Sequence, residues 1–355
     1  VKNRLINAIS DPGNTLIDYA VGKGGDIPKW ISAKLSFVFG IDYSKDNIRN
    51  PVDGVCARYL KYKQKFQEVP NALFVYGSSN KNIKDTSAIF SDVGKQITNA
   101  IFGNGSKEKL GKGVVKSYGV ASEGFNISSI QFAIHYMFEN NLTLHNFLTN
   151  IAECTKINGY FIGTCFSGKK IFNLLNNLKI NETYTFFDRD KNNKLLEITK
   201  QYDNTDFSND IGSLGYAIDI FQASINKTIR EYLVNYDYLT SILENYGFVP
   251  LTVDELKSIN LPESVGSFEQ LYNLMQSDIK TRKLDPKSIG DAVKMTREER
   301  DISFLNNYFI YKKVRNVDIQ DIKSALVKSS DKELIESTKE SLQASEIVKT
   351  TTEQV

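Results

Sequence analysis

The run from Thr15 to Trp30, TLIDYAVGKGGDIPKW, sets three glycines, two lysines and two aspartates in and behind a short apolar stretch. Glycines in such a turn leave the backbone uncovered, so a phosphate or a nucleoside can lie against it. A G-x-x-x-x-G-K-[ST] phosphate loop does not fit, because Lys23 lies between Gly22 and Gly24. A G-x-G-x-x-G dinucleotide turn matches at Gly22 and Gly24, but Ile27 stands where the third glycine belongs. A third chemistry fits better. Asp18 ends an apolar run, Gly22, Gly24 and Gly25 clear the turn, and Asp42 ends the next apolar run. At about 20 residues beyond the turn, an ionised carboxylate accepts from both vicinal hydroxyls of a ribose. Asp18 and Asp26 add negative charge, which repels a pyrophosphate and suits a sulfonium with an amino-acid ammonium. That sign favours S-adenosylmethionine over NAD. The competing reading is a strand–helix corner whose carboxylates are merely solvated.

The elements that must hold these residues are short apolar runs alternating with amphipathic segments. Thr15 to Ala20, Leu35 to Asp42, Ala72 to Gly77, Asn126 to Tyr136 and Gly159 to Phe166 read as buried strands. Between the second and third, Val52, Val55, Cys56, Tyr59 and Leu60 fall on one helical face, with Asn50 as N-cap and Pro51 at the first helical position. Alternation of this kind predicts an α/β fold with a mostly parallel sheet wound on both faces. ETYTFFDR and GYAIDIFQA read as strands of an inserted layer. YDYLTSILENYGF reads as a helix entering a turn at Gly247, and Asn306 to Val314 as a last strand. The glycine- and lysine-bearing segment Asn104 to Lys116 reads as a surface loop, or as an arm near an anionic substrate. From about Val317 the composition turns to Ser, Thr, Lys and Glu, which predicts a solvated tail or linker over 317–355. Ile319, Ile322 and Leu326 would face one side of a short helix there.

Composition narrows the class further. A net charge of +2 is too mild to announce a nucleic-acid binder by electrostatics alone, though a local basic groove stays open. Cys56, Cys154 and Cys165 are odd in number and lack paired spacing, and His135 and His145 are the only histidines. Neither a disulfide framework nor a structural metal is expected, and a reducing, intracellular setting is. No signal peptide or membrane-length apolar run is found. The chain opens with valine inside a helical pattern, so it is expected to be a piece of a longer polypeptide.

Four motifs in order carry a family resemblance. DYAVGKGGDIPKW resembles the first motif of mRNA cap guanine-N7 methyltransferases, D-x-x-C-G-K-G-G-D, with Val21 in place of the cysteine. SIQFAIHYMFE (Ser129 to Glu139) resembles their Q-F-x-x-H-Y-x-F-E, GYFIGTCF their G-G-Y-F-I-G-T, and REYLV (Arg230 to Val234) their E-[YF]-L-V. The opening VKNRLI resembles the helix that enters the domain. The likeness spans roughly Val1 to Val314 and is strongest to the methyltransferase domain of multifunctional capping enzymes of large DNA viruses.

The resemblance implies a Rossmann-like class I methyltransferase over residues 1–316. Its mostly parallel seven-stranded sheet would carry helices on both faces and an inserted strand layer. It implies that Lys2, Asp18, Gly22, Asp42, Ser78 and Gln131 meet S-adenosylmethionine. Lys2 would reach the methionine carboxylate and Asp42 the ribose. His135 and Tyr136 would line the guanine pocket, and Glu231 would accept from guanine N1–H and N2–H. Taken singly, each of these has a bland alternative: a satisfied core histidine, a core tyrosine, a solvated strand-edge carboxylate. The third strand of many members ends in an acid on the adenine side, where this chain has Gly77-Ser78-Ser79. A tyrosine that some members carry near the last strand falls on Asn306. Methyl transfer to guanine N7 would be an in-line displacement without a general base or a metal. Capped RNA would be the partner, with triphosphatase and guanylyltransferase domains upstream, in host cytoplasm or virion. Two alternatives stay open: a methyltransferase acting on another base or small molecule, and a degenerate, non-catalytic subunit of a capping complex.

Overall fold

The computed structural model describes residues 1–223, 226–283, 285, 289–322 and 324. Its strands are β1 (Thr15–Asp18), β2 (Phe37–Asp42), β3 (Asn71–Tyr76), β4 (Phe125–Gln131), β5 (Thr155–Phe166) and β6 (Thr183–Phe187). They continue with β7 (Lys194–Lys200), β8 (Ala217–Gln222), β9 (Lys227–Tyr232), β10 (Phe248–Pro250), β11 (Val265–Ser267) and β12 (Asn306–Lys313). The main sheet has the order β10-β12-β5-β4-β1-β2-β3, with β11 added against β12. The five strands β1 to β5 run parallel, whereas β12 is antiparallel to β5, β10 and β11. The predicted mostly parallel sheet is therefore present, with β11 as an eighth member. Strand order reverses at β1, which lies between β2 and β4, so a crevice opens beyond the carboxyl ends of these strands.

Burial explains why the central strands read as continuous apolar runs. Every residue of β1 and β2 is buried, as expected for parallel strands covered on both faces. On one face the helices Lys2–Ile9, Ile27–Ser32 and Phe268–Lys280 bring Leu5, Trp30 and Leu271 against Leu16, Val38 and Ile310. On the other an aromatic group forms, with Phe161 touching Phe147, Phe248 and Phe309. Residues Val1–Arg315 make one compact unit.

The inserted layer is a four-stranded antiparallel sheet, β6-β7-β8-β9. Along β7, residues 196, 198 and 200 are buried in alternation with partly exposed neighbours. One face packs on Ile171 and Leu175, so only every second residue needs to be apolar.

Three local expectations are corrected. The helix expected from Pro51 begins at Val55 with Gly54 as N-cap. The Asn50 side chain accepts from the Val52 and Asp53 backbone N–H groups at 2.9 and 3.3 Å, closing a turn that competes with helix. Val52 and Leu60, expected on the buried face, are 70% and 60% exposed. The run from Asn126 to Tyr136 leaves the sheet after Gln131. Phe132 takes a φ of +57°, and Ile134–Phe138 forms a 3-10 turn. Within Asn104 to Lys116 the loop includes a 3-10 turn at Lys107–Lys109 and a short helix at Lys112–Val115. Residues 319–322 and 324 are helical, while Leu326 and the rest of the expected tail lie outside the described residues.

Candidate active site

Asp18 closes β1, and its buried carboxylate accepts from the Ala20 backbone N–H at 3.1 Å. Burial first, and Asp26 next, push its pKa up to about 7. The turn that follows divides its glycines between two jobs. Gly22 has φ +54°, and no atom stands within 4 Å of where a Cβ would project, so the space above it is open. Gly24 has φ +73°, and a Cβ there would come within 2.8 Å of both Ile27 and Val55, so it serves packing.

Asp42 ends β2 and clamps the same turn. Its Oδ2 accepts from the Gly22 backbone N–H at 2.7 Å. Its Oδ1 accepts from the Ser44 N–H at 2.8 Å and from Asn47 Nδ2 at 3.0 Å. A carboxylate has about four lone-pair positions, so one on Oδ2 is left for a ligand. Lys2 Nζ lies 3.3 Å from Asp26 Oδ2 and 5.1 Å from the centre of the Phe132 ring. Lys29 Nζ lies 2.9 Å from the other Asp26 oxygen. The negative charge expected at the turn is thus offset at Asp26. Asp18 and Asp42 are in no ion pair among the described residues, and the more distant Lys2 only partly offsets the rise in the Asp18 pKa. Lys23 is held by Asp53 at 2.8 Å and Asp46 at 3.3 Å.

The end of β3 shows why no acid stands at Gly77. A Cβ there would meet the Ala88 carbonyl oxygen at 2.5 Å, because residues 88–90 fold back against the strand end. Ser78 is engaged locally: its N–H donates to Ala88 O at 2.8 Å and its hydroxyl to Asn80 Oδ1. Beside Asp42 stands an aromatic ledge that the sequence reading missed. Tyr43 is 72% exposed and meets Phe90 edge-on at 5.9 Å, and Phe90 meets Tyr76 at 4.8 Å. The available signal was an aromatic residue directly after the ribose-type aspartate.

Across the crevice, Gln131 ends β4. Its buried amide is satisfied inside the protein, donating to Ser129 Oγ at 3.1 Å and accepting from Thr164 Oγ1 at 3.0 Å. His135 follows on the 3-10 turn and is 4% exposed. Its Nδ1 lies 3.3 Å from Cys165 Sγ and 3.6 Å from Glu231 Oε2. Its Nε2 is buried without a partner. Burial pushes the imidazole pKa down to about 3, so the ring is neutral and the Glu231 contact is not an ion pair. Glu231 arrives on β9 of the inserted sheet, and burial pushes its carboxyl up to about 7. Tyr136 is partly exposed, with its ring centre 4.1 Å from that of His135. Burial first, then Glu231, Cys165 and Asp42, push its phenol up to about 12. One phenol thus senses both the carboxylate of the inserted sheet and that of β2. Asn306, at the start of β12, is buried, and its Nδ2 donates to Ser303 O at 3.1 Å.

Of the expected site residues, Asp18, Gly22, Asp42 and Lys2 surround the first turn. His135, Tyr136 and Glu231 cluster at the end of β4. Gln131 and Ser78 flank the crevice with their side chains already bonded to protein. The arrangement offers a bare backbone turn with two carboxylates outside any ion pair and, at the end of β4, an acceptor, a neutral imidazole and an aromatic ring.

The chain as a whole is similar to known proteins. A family model described as the mRNA (guanine-N(7))-methyltransferase domain matches residues 1–314. A "Probable mRNA-capping enzyme" of Acanthamoeba polyphaga mimivirus is 26% identical over 338 residues, covering 90% of this chain and 27% of the relative. An "mRNA cap guanine-N(7) methyltransferase" of Saccharomyces cerevisiae is 26% identical over 260 residues, covering 70% of this chain and 48% of the relative. This chain therefore spans about a quarter of the first relative and about half of the second. A crystal structure titled as a putative S-adenosylmethionine dependent methyltransferase from Listeria monocytogenes superposes with a TM-score of 0.43 at 13% identity, covering 88% of this chain and 95% of that one. With a match running from residue 1 to residue 314, this chain belongs to the mRNA (guanine-N(7))-methyltransferase domain family.

Proposed function

We propose that this chain, through residues 1–316, transfers a methyl group from S-adenosylmethionine to N7 of the guanine cap of mRNA. The observation that carries the reading is Glu231. It comes from a separate sheet to stand beside neutral His135, next to a tyrosine that also senses Asp42. The first turn fits the cofactor. Gly22 leaves room for close approach, Asp42 keeps a lone pair for a ribose hydroxyl, and Asp18 is a buried carboxyl in no ion pair. Lys2 would shift from Asp26 to the methionine carboxylate, while Gln131 and the Ser78 backbone would border the site. The Tyr43–Phe90 ledge would give adenine a face where Gly77 leaves no acid. When bound, S-adenosylmethionine supplies an electrophilic methyl group on a sulfonium.

The protein's own part is binding and orientation. Ionised Glu231 only accepts, which matches guanine N1–H and N2–H and mismatches adenine. His135 and Tyr136 wall the base so that N7 faces the methyl group in line. Guanine N7 has an in-plane lone pair and needs no general base or metal. Glu231 stabilises the positive charge that appears on the ring. Capped RNA would be the substrate. The mimivirus relative, named a probable capping enzyme and far longer than this chain, supports triphosphatase and guanylyltransferase domains in the same polypeptide. Three free cysteines suit a reducing, intracellular setting such as host cytoplasm or virion.

The test is transfer of labelled methyl from S-adenosylmethionine to RNA with an unmethylated cap, beside free nucleosides and uncapped RNA. Label on the capped RNA alone is expected. Label on a free nucleoside or small molecule instead would move the chain to another substrate.

A further inference from the structure

We infer that Cys165 is a positioning residue that fixes the tautomer of His135, so that Nε2 carries the ring proton. The inference deepens the guanine-pocket reading above and rests on it for its functional consequence. A neutral imidazole has one N–H and one lone pair, and its neighbours decide which nitrogen holds the proton. At Nδ1 the nearest polar atom is Cys165 Sγ, at 3.3 Å. The thiol is buried on β5 and keeps its proton, because burial and Glu231 push its pKa well above the ordinary thiol value. Backbone N–H groups of His135 and Phe166 act on the same sulfur as donors and only partly offset that rise. The S–H is therefore left to donate, and the Nδ1 lone pair is the acceptor beside it. The opposite tautomer would aim an Nδ1–H at a sulfur already facing donors, with Glu231 Oε2 beyond hydrogen-bond range at 3.6 Å.

With Nδ1 accepting, Nε2 becomes a donor, and it is the atom left buried without a protein partner. An unmet buried donor is costly, so the site gains from a ligand acceptor. Guanine supplies one in O6, next to the N1–H and N2–H that Glu231 would take. Glu231 and His135 then read a donor–donor–acceptor edge, and the thiol behind the histidine keeps the imidazole from presenting a second acceptor.

The experiment is ring-nitrogen NMR of the histidine-labelled chain. It has two histidines, His135 and His145, so the spectrum is uncrowded. The expected result is a protonated Nε2 on His135 in the unsubstituted protein and in Cys165→Ser, and a mixture of tautomers in Cys165→Ala. In Cys165→Ala the KM for capped RNA should rise about three- to ten-fold, with a smaller change in kcat, and Cys165→Ser should recover it. A protonated Nδ1 in the unsubstituted protein, or an unchanged tautomer in Cys165→Ala, overturns the inference. The tautomer is read on the free protein. A shifted tautomer with an unchanged KM would instead count against the guanine-pocket reading, so the two failures are separable.

Discussion

If Asp18 must be ionised to receive a cationic cofactor, binding of S-adenosylmethionine expels its proton. The free protein holds this carboxyl near pKa 7, chiefly because it is buried and secondly because Asp26 is near. The sign follows. The raised pKa favours the protonated form below 7, whereas the ligand's sulfonium and ammonium favour the carboxylate. Affinity therefore falls as pH falls. For one linked proton the apparent dissociation constant scales as 1 + 10^(7 − pH), so binding at pH 6 is about five-fold weaker than at pH 7, or about 1 kcal/mol. Staying at or below pH 7 keeps the ligand's own amine, with a pKa of about 8, out of the measurement. Titration calorimetry in two buffers of different ionisation enthalpy should show about half a proton released at pH 7. S-adenosylhomocysteine, which lacks the sulfonium, should show a weaker dependence. Asp18→Asn should flatten the profile and weaken cofactor binding. The same substitution should raise the melting temperature of the free protein at pH 8 by a few degrees, because it removes a buried charge that no ion pair offsets. Zero proton release, with a pH-independent constant between pH 6 and pH 7, would refute the assignment of Asp18.

Glu231→Ala should lower cap methylation by about 100-fold or more while leaving cofactor binding intact, read by labelled methyl transfer beside calorimetry. Near-normal turnover in that variant would remove Glu231 from the guanine pocket. Asp42→Ala should abolish measurable cofactor binding, since it deletes both the ribose acceptor and the partner of the Gly22 N–H. Gly22→Ala should cost only about 1 kcal/mol of stability, from its left-handed backbone, yet block the cofactor. Gly24→Ala should unfold more readily, because its methyl meets Ile27 and Val55 at 2.8 Å, and denaturant melts of the pair separate the two roles. Tyr43→Ala should weaken cofactor binding about ten-fold, with kcat at saturating cofactor little changed.

The parallel half of the fold was legible because β1 and β2 are buried throughout, so their sequences carry unbroken apolar runs. Strands β7 and β9 were harder. β7 has one buried face and reads KLLEITK, and β9 has no fully buried residue and reads KTIREY, so charges interrupt both. The early end of β4 turns on a positive φ at Phe132, a residue type that gives no warning of one. The start of the second long helix was misread because Asn50 bonds its own turn instead of capping. The first turn and Asp42 could be read from spacing, since both lie on neighbouring strand ends. That Glu231 meets His135 could not be read from periodicity, because they lie on different sheets. Only the ordered motifs suggested a shared pocket. Lys23, which first pointed to phosphate, is explained by Asp46 and Asp53, two carboxylates without a sequence pattern to announce them.

The split between the two sheets has an evolutionary consequence. Glu231 stands on β9 of an insert, whereas the turn proposed to receive the cofactor hangs from β1 and β2. On the proposed reading, the carboxylate that reads the acceptor is therefore carried on a different piece of architecture from the donor turn, while His135 and Tyr136 stay with the main sheet. A lineage could change what that carboxylate meets by rebuilding residues 183–232 while residues 15–42 stay untouched. An engineer seeking a new acceptor base has the same route: diversify the four-stranded insert together with the turn that carries His135 and Tyr136, and leave residues 15–42 alone.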